Sequence, residues 1–496
     1  MTDSPPQSTV GLGRAAGRGA ATTLSGQLIR IGVQLTGIII LGHLLSPSDY
    51  GLIASVMAII GIGEVFRDFG LSSAAIQSRE LSRNQKDNLF WINALIGLVL
   101  TSAALLCSPL IAGLYGDDRL GPLTQVLAFT FLLNALATQF RADLNRNFRF
   151  FALTTSEIGA QVGGLVVGIV MALNGYGYWS LAGQQVSQGL LMLIILIPVT
   201  RWFPRGFHRG TETMHFVRFG SNVFGTQLLG YASRNVDSVV IGATLGPGPL
   251  GLYNRAFQLL LLPLNQINAP STRVALPVLS RLQDDRDRYA QFIILGQRVM
   301  LHLVTFILAF AAAQATPIIA ITLGRQWLES APIFQILSVA GFFQAAGYAT
   351  YWVFLSKGLM RQNLYYSLVS RPLLIGLVLL GSLWGVHGVA AAYSIGMGLA
   401  WPLSLWWIHR VSDAPAGRMF VAGVRAIVGY GLAAVASYAS TLWVPSSQPV
   451  VSLAVGLGAL IATVAVLALV WPAFRRDIQS IIQSRKFLRA GPAEAA

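Results

Sequence analysis

Apolar residues along this chain gather into fourteen runs divided by short polar or Gly/Pro-rich turns. They lie at about 19–42, 51–76, 89–111, 122–140, 151–173, 178–200, 217–244, 251–277, 291–314, 331–355, 364–384, 388–408, 420–443 and 450–472. Each is close to the ~20 residues that an α-helix needs to cross the hydrocarbon of a bilayer. The pattern predicts an all-α polytopic membrane protein of about fourteen transmembrane helices.

The cations follow the same division. With the N-terminus inside, twenty-four Lys and Arg fall in inner loops and tails, from Arg14 and Arg18 through Arg79, Arg83 and Lys86 to Arg475, Arg476 and Arg489. The outer loops hold two, Arg119 and Arg325. An excess of Lys and Arg marks the cytoplasmic side, so both termini are expected there. Losing one helix from the count would scramble the alternation.

Composition narrows the class. Apolar residues make up 54% of the 496 and charged residues 11%, against roughly 25% charged in a soluble domain. With a mean hydropathy of +0.62, lipid takes the place of a polar coat. The net charge of +15 would suggest nucleic acid in a soluble protein; here the cations orient helices, and no nucleic-acid partner is expected. A single cysteine, Cys107, excludes an internal disulfide and reads as a packed small apolar residue. The first eighteen residues carry Arg14 and Arg18 without an apolar core, unlike a cleavable signal peptide.

A duplication is visible at the outer turns. Leu45-Ser-Pro-Ser-Asp-Tyr-Gly51-Leu52 and Leu245-Gly-Pro-Gly-Pro-Leu-Gly251-Leu252 share Leu, Pro, Gly and Leu at an offset of 200 residues. Ser78-Arg79 and Ser280-Arg281 recur at nearly the same offset. Six helices separate the copies, so the two units would share orientation about an axis along the membrane normal. The expected organisation is a cytoplasmic tail (1–18), an N-lobe of helices one to six (19–200) and a C-lobe of helices seven to twelve (217–408). An extra helix pair (420–472) and a basic cytoplasmic tail (473–496) complete it. Such repeats commonly rock about a substrate path between them, which makes alternating access the expected mechanism.

Eight arginines fall within the spans: Arg30, Arg67, Arg234, Arg255, Arg273, Arg298, Arg371 and Arg425. Arg273, Arg298 and Arg425 lie near inner ends and can snorkel. A charge at the membrane centre costs about 2.5–3.5 kcal/mol on insertion scales, so the deeper arginines need a partner or a wet cavity. Glu64, Arg67 and Asp68 stand at i, i+3 and i+4 on the second helix, and Arg234 and Asp237 at i and i+3 on the seventh. Gln27, Arg30 and Gln34 form one stripe of the first helix, and the eighth carries Asn254, Arg255 and Gln258. The expected substrate-binding set is Arg30, Gln34, Arg67, Arg234, Asn254, Arg255 and Gln258, with Glu64, Asp68 and Asp237 as coupling or gating carboxylates. Arginine suits an anionic head group because its planar fork binds phosphate oxygens bidentately. Buried salt bridges and polar helix packing without a ligand remain the alternative.

Other motifs carry less. The run Gln139–Arg149 reads as a basic helix end touching lipid head groups, and Asp285-Arg-Asp287 as a solvated inner loop. His43 and His387 have no paired His or His/Asp constellation around them, which argues against a membrane-embedded polymerase or acyltransferase.

Several segments together resemble the polysaccharide-transporter family. They are Asp68-Phe-Gly-Leu71 with Ala75-Ile-Gln77, Gly177-Tyr-Trp-Ser-Leu181, Asn235-Val-Asp237 with Ile241-Gly242, Gly251-Leu-Tyr253, and Pro277 to Asp285. That family belongs to the multidrug, oligosaccharidyl-lipid and polysaccharide exporter superfamily, and the chain looks most like its colanic-acid-type exporters. The resemblance implies a flippase for undecaprenyl-diphosphate-linked oligosaccharide units in the bacterial cytoplasmic membrane, serving exopolysaccharide, capsule or O-antigen synthesis. It implies partners in membrane lipid and in the polymerase and export machinery of the pathway, no cofactor, and coupling to H+ or Na+. By helix alone, Arg30, Arg67 and Arg255 match cavity cations of related flippases. A drug/cation antiporter of the same superfamily is the alternative function.

Overall fold

The computed structural model of the chain describes residues 9–68, 82–208, 235–445 and 447–489, with the backbone alone at 9–24, 65–68, 269 and 483–489. In chain order the helices are α1 (Thr9–Leu44), α2 (Pro47–Asp68), α3 (Arg83–Tyr115), α4 (Leu120–Arg146), α5 (Phe150–Leu173) and α6 (Trp179–Thr200). A short α7 (Asn235–Leu245) follows. Then come α8 (Pro247–Arg281), α9 (Arg286–Ala313), α10 (Ala315–Thr322), α11 (Ser330–Ser356), α12 (Met360–Gly381) and α13 (Gly385–Val411). The last three are α14 (Ala416–Thr441), α15 (Pro449–Val470) and α16 (Pro472–Arg489). Among the described residues there is no strand, and ten stretches are long and apolar enough to cross a membrane. One of the ten, Met360–Val411, holds both α12 and α13 with a 3-10 turn between them. Large apolar side chains point outward on these helices, as Leu106 at 80% and Val435 at 68% exposure illustrate. Surfaces of that kind fit lipid, and the chain is a multi-pass membrane protein. Cys107 lies on this exposed face of α3 beside Leu106 and is therefore not packed.

Several helices run past their apolar runs because caps, not hydropathy, fix where they begin. α3 opens at Ser82, whose hydroxyl accepts from the Gln85 amide at 3.2 Å while the Gln85 side chain accepts from Ser82 N at 2.9 Å. α2 has the same device with Ser46 and Asp49: Ser46 N and Oγ donate to Asp49 Oδ2 at 2.9 and 2.6 Å. Pro47 then sits at the first helical position, where its missing N–H is harmless. Pro247 opens α8 in the same way after Gly246, whose φ of +85° suits glycine.

The chain divides into two compact units, Met1–Gly251 and Leu252–Ala496. In the first, Leu41, Leu52, Val56, Leu127, Phe131 and Leu181 form one apolar core. Phe90, Phe140 and Trp202 pack edge to face in another, with ring centroids 5.2–6.0 Å apart. Glycines set the helix spacings. A Cβ on Gly26 would fall 2.0 Å from Thr154 Cγ2, and one on Gly37 would lie 3.0 Å from Leu165 Cδ1, so α1 and α5 run parallel. Next to that contact on α5, Gly164 and Gly168 meet Gln188 and Gln184, which makes α6 antiparallel to it. Small residues four apart allow this close approach of backbones. The repeated outer turns also meet within this unit. A Cβ on Gly51 would fall 1.6 Å from the Pro247 carbonyl oxygen, and one on Gly251 would fall 1.8 Å from that of Pro47. Each copy of the motif thus uses its glycine against the proline of the other.

In the second unit, Trp327, Trp352 and Tyr253 are fully buried. The C-terminal α16 is anchored through Phe474 and Asp477, both wholly buried. Arg425 Nη1 donates to Asp477 Oδ2 at 2.8 Å and to the Ala473 carbonyl at 3.0 Å, and Arg298 Nε lies 3.0 Å from Asp477 Oδ1. Burial raises the Asp477 carboxyl above its ordinary value while the two guanidiniums pull it down. Arg298 and Arg425 therefore hold a carboxylate in place instead of merely snorkelling. Asp285, read as part of a solvated loop, caps α9 by accepting from Arg288 N at 3.0 Å.

The turn contact yields a test. Gly51→Val and Gly251→Val should each lower the yield of monodisperse, detergent-solubilised protein, with an overpacking cost of about 1–3 kcal/mol. Gly248→Ala, with nothing within 4 Å of its Cβ, should behave as the parent. Equal behaviour of all three would contradict the close approach.

Candidate functional site

Within the first unit, five helices enclose a polar cavity of about 410 Å3. That size falls among small-molecule sites, which run from about 300 to 1,000 Å3. α1 contributes Arg30, α2 Glu64, and α4 Asn134 and Arg141. α5 contributes Glu157 and Gln161, and α6 Gln185 and Gln188. Helical spacing explains the convergence: Glu157 and Gln161 are four apart, Gln185 and Gln188 three apart, and Asn134 and Arg141 seven apart, each pair on one face. The α5–α6 glycine contact described above brings Gln188 against the face that carries Glu157.

Arg30 is paired. Its Nη1 meets Glu157 Oε2, and its Nη2 donates to Gln27 Oε1 at 2.8 Å. Gln161 Nε2 donates to the Arg30 carbonyl at 3.3 Å, tying α5 to α1 a second time. Asn134 Nδ2 reaches Glu64 Oε1 at 3.5 Å, the outer limit of a hydrogen bond. Two arginines and two glutamates thus balance in charge, and four amides surround them. The chemistry suits a hydroxyl-rich ligand, since amides and carboxylates bind hydroxyls in both directions. A phosphate can also compete with Glu157 for the Arg30 guanidinium.

The predicted site residues separate into groups. Arg30 and Glu64 line this cavity. Gln34 is exposed on α1 and is not among the lining residues. Asp237 is buried in the same unit, its Oδ1 accepting from Ser238 N at 2.9 Å. Asn254, Arg255 and Gln258 belong to the second unit, where Arg255 Nη1 donates to Gln258 Oε1 at 2.7 Å. The Arg255 guanidinium lies 5.9 Å from the Trp327 ring centroid, and Asn254 Nδ2 is buried without a hydrogen bond. The side chains of Arg67 and Asp68, and all of Arg234, lie outside the described residues.

Glu157 escaped the sequence reading, which weighed arginines at membrane depth. Its signal is present nonetheless: it is the one ionisable residue of the apolar run 151–173, and such a residue marks a functional site by default. Gln185 and Gln188 carry no comparable signal, because glutamine within a span serves helix packing equally well.

A family profile described as "Polysaccharide biosynthesis protein" matches residues 40–332. The chain belongs to this polysaccharide-biosynthesis family. It is 24% identical over 394 residues to the lipopolysaccharide biosynthesis protein WzxC of Escherichia coli K12, covering 76% of this chain and 77% of the relative. To the teichuronic acid biosynthesis protein TuaB of Bacillus subtilis 168 it is 28% identical over 390 residues, covering 75% and 78%. In fold it is similar to the lipid II flippase MurJ in an inward closed conformation, with a TM-score of 0.66 at 14% identity over 90% of this chain and 98% of that one. The five helices around the cavity all fall wholly or partly within the matched residues.

The Arg30–Glu157 pair can be measured directly. Its side chains are 29% exposed, between the surface pairs worth at most ~1 kcal/mol and fully buried ones. In a double-mutant cycle on purified protein, Arg30→Ala and Glu157→Ala should each lower Tm, and the double variant should lose less than the sum, with a coupling of about 1 kcal/mol. Additive losses would contradict the pairing.

Proposed function

We propose that this chain is a flippase that carries undecaprenyl-diphosphate-linked oligosaccharide units from the inner to the outer leaflet of a bacterial cytoplasmic membrane. The exported units serve exopolysaccharide, capsule or O-antigen assembly. The observation that carries this reading is the amide-rich, charge-balanced cavity inside an otherwise apolar bundle in a member of a polysaccharide-biosynthesis family. A glycan at membrane depth needs hydroxyl partners that lipid cannot supply, and Asn134, Gln161, Gln185 and Gln188 offer them. The diphosphate needs cations, which Arg30 and Arg141 provide in this cavity, and Arg255 is a buried cation of the second unit.

The wider architecture follows from the reading. Fourteen spans in two six-helix lobes, plus a terminal pair, would alternate the exposure of the path, and the excess of inner cations supports cytoplasmic termini. Alternating access needs an energy source. Glu64 and Asp237 are the carboxylates we assign to H+ or Na+ coupling; one charge moved through 100 mV supplies about 2.3 kcal/mol, enough to bias the cycle. Glu157 joins them as the counter-ion whose exchange for phosphate on Arg30 would report substrate arrival. No cofactor enters the cycle. The polymerase and export machinery of the pathway receive the product.

A strain that depends on this chain for its surface polymer tests the assignment. Arg30→Ala and Arg255→Ala should each lower exported polymer tenfold or more at unchanged protein level, with lipid-linked oligosaccharide accumulating on the inner leaflet. Normal export in both variants would remove these arginines from the path, whereas normal surface polymer with raised toxin sensitivity after deletion of the chain from its native host would favour the drug/cation antiporter instead.

A further inference from the structure

A second cavity, of about 540 Å3, lies wholly within the second unit between α9, α14 and α16. Arg298 from α9 and Arg418 and Arg425 from α14 face into it, and Ser480 of α16 completes its polar side. Asp477, the buried residue that anchors α16, is the carboxylate paired with Arg298 and Arg425, and Arg418 has no ion pair among the described residues. Among the described residues, three guanidiniums against one carboxylate leave the pocket with two positive charges in excess. The geometry keeps their donors available. Arg425 spends Nη1 on Asp477 and Ala473, and the Nε of Arg298 approaches Asp477 without forming a hydrogen bond.

Gln291 of α9 adds one more polar group, and the rest of the lining is Ile294 and Leu295 on α9 with Gly417 and Val421 on α14. Val421 is 54% exposed on the same side of α14 as exposed Phe420 and Val424, the kind of surface that meets acyl chains. α16 begins immediately after the apolar α15 and carries Arg475 and Arg476 outward while burying Phe474 and Asp477. That division of faces is what a helix lying along the membrane surface requires.

From the excess of guanidinium beside a lipid-facing apolar wall, we infer that this pocket holds the phosphoryl head group of an anionic membrane phospholipid, with its acyl chains against α14. Arginine binds phosphate oxygens through its planar fork, and basic pockets between membrane helices on the cytoplasmic side are suited to such head groups. The lipid would bridge α16 to the helices that α16 already touches through Asp477. The inference stands apart from the translocated substrate, since it uses none of the residues assigned to the path.

Native mass spectrometry of the full chain, titrated with phosphatidylglycerol, phosphatidylcholine or inorganic phosphate, tests it. The account expects phosphatidylglycerol to be retained at least tenfold more tightly than phosphatidylcholine. Arg418→Gln, which leaves both partners of Asp477 in place, should weaken that retention roughly fivefold, the contribution of one cation at an anionic surface. Arg298→Gln should weaken it further, with circular dichroism confirming that the helices persist. Displacement by inorganic phosphate without preference between the two lipids would assign the pocket to free phosphate and overturn the lipid. Equal retention of both lipids by parent and variants would overturn the site itself.

Discussion

A charge at hydrocarbon depth must find its partner inside the protein, and in the first unit that requirement is met by Arg30 and Glu157. The pair joins α1 to α5, and the Gln161 amide repeats the join one turn along. Around it Gly26 and Gly37 of α1 let α5 come close enough for the two side chains to meet. Gly164 and Gly168 of α5 bring α6 equally close, and Gln185 and Gln188 of α6 line the cavity. Packing and site are therefore one arrangement: the small residues that let helices touch also decide which polar groups share a hollow. A bundle of this kind can be wet inside and greasy outside, as carrying a sugar through lipid demands.

The second unit solves a related problem differently. Asp477 is a carboxylate with no exposure, and it persists because Arg298 and Arg425 come to it from two other helices. Removing either arginine would leave a buried charge under-compensated, which is far more costly than losing an exposed pair. The third arginine, Arg418, has no such pairing among the described residues, and it lines the same pocket as apolar Val421.

Much of this was legible in the sequence, and the reasons are physical. Hydropathy located the ten stretches long and apolar enough to cross a membrane, because lipid favours apolar side chains at that depth, and the Pro and Gly of the repeated turns marked two helix starts, α2 and α8, that open on corresponding prolines. Arg30 and Glu64 stood out because charge in a span is expensive. What one sequence does not carry is pairing across space. Nothing in the order of residues joins Arg30 to Glu157 or Asp477 to Arg298, and helix periodicity says which residues share a face without saying what that face meets. Helix ends also moved, since capping groups such as Ser82 and Gln85 start α3 several residues before its apolar run.

The central claim is that the cavity around Arg30 and Glu157 is wet and lies on the substrate path. Because Cys107 is the single cysteine, replacing it with serine and introducing Gln188→Cys places one thiol at the cavity wall. The most direct measurement is its labelling rate with a hydrophilic maleimide, in cells that make the lipid-linked oligosaccharide and in cells that cannot. The account predicts rapid labelling that slows severalfold when the substrate is made. A thiol that never labels, or one whose rate ignores the substrate, would contradict it.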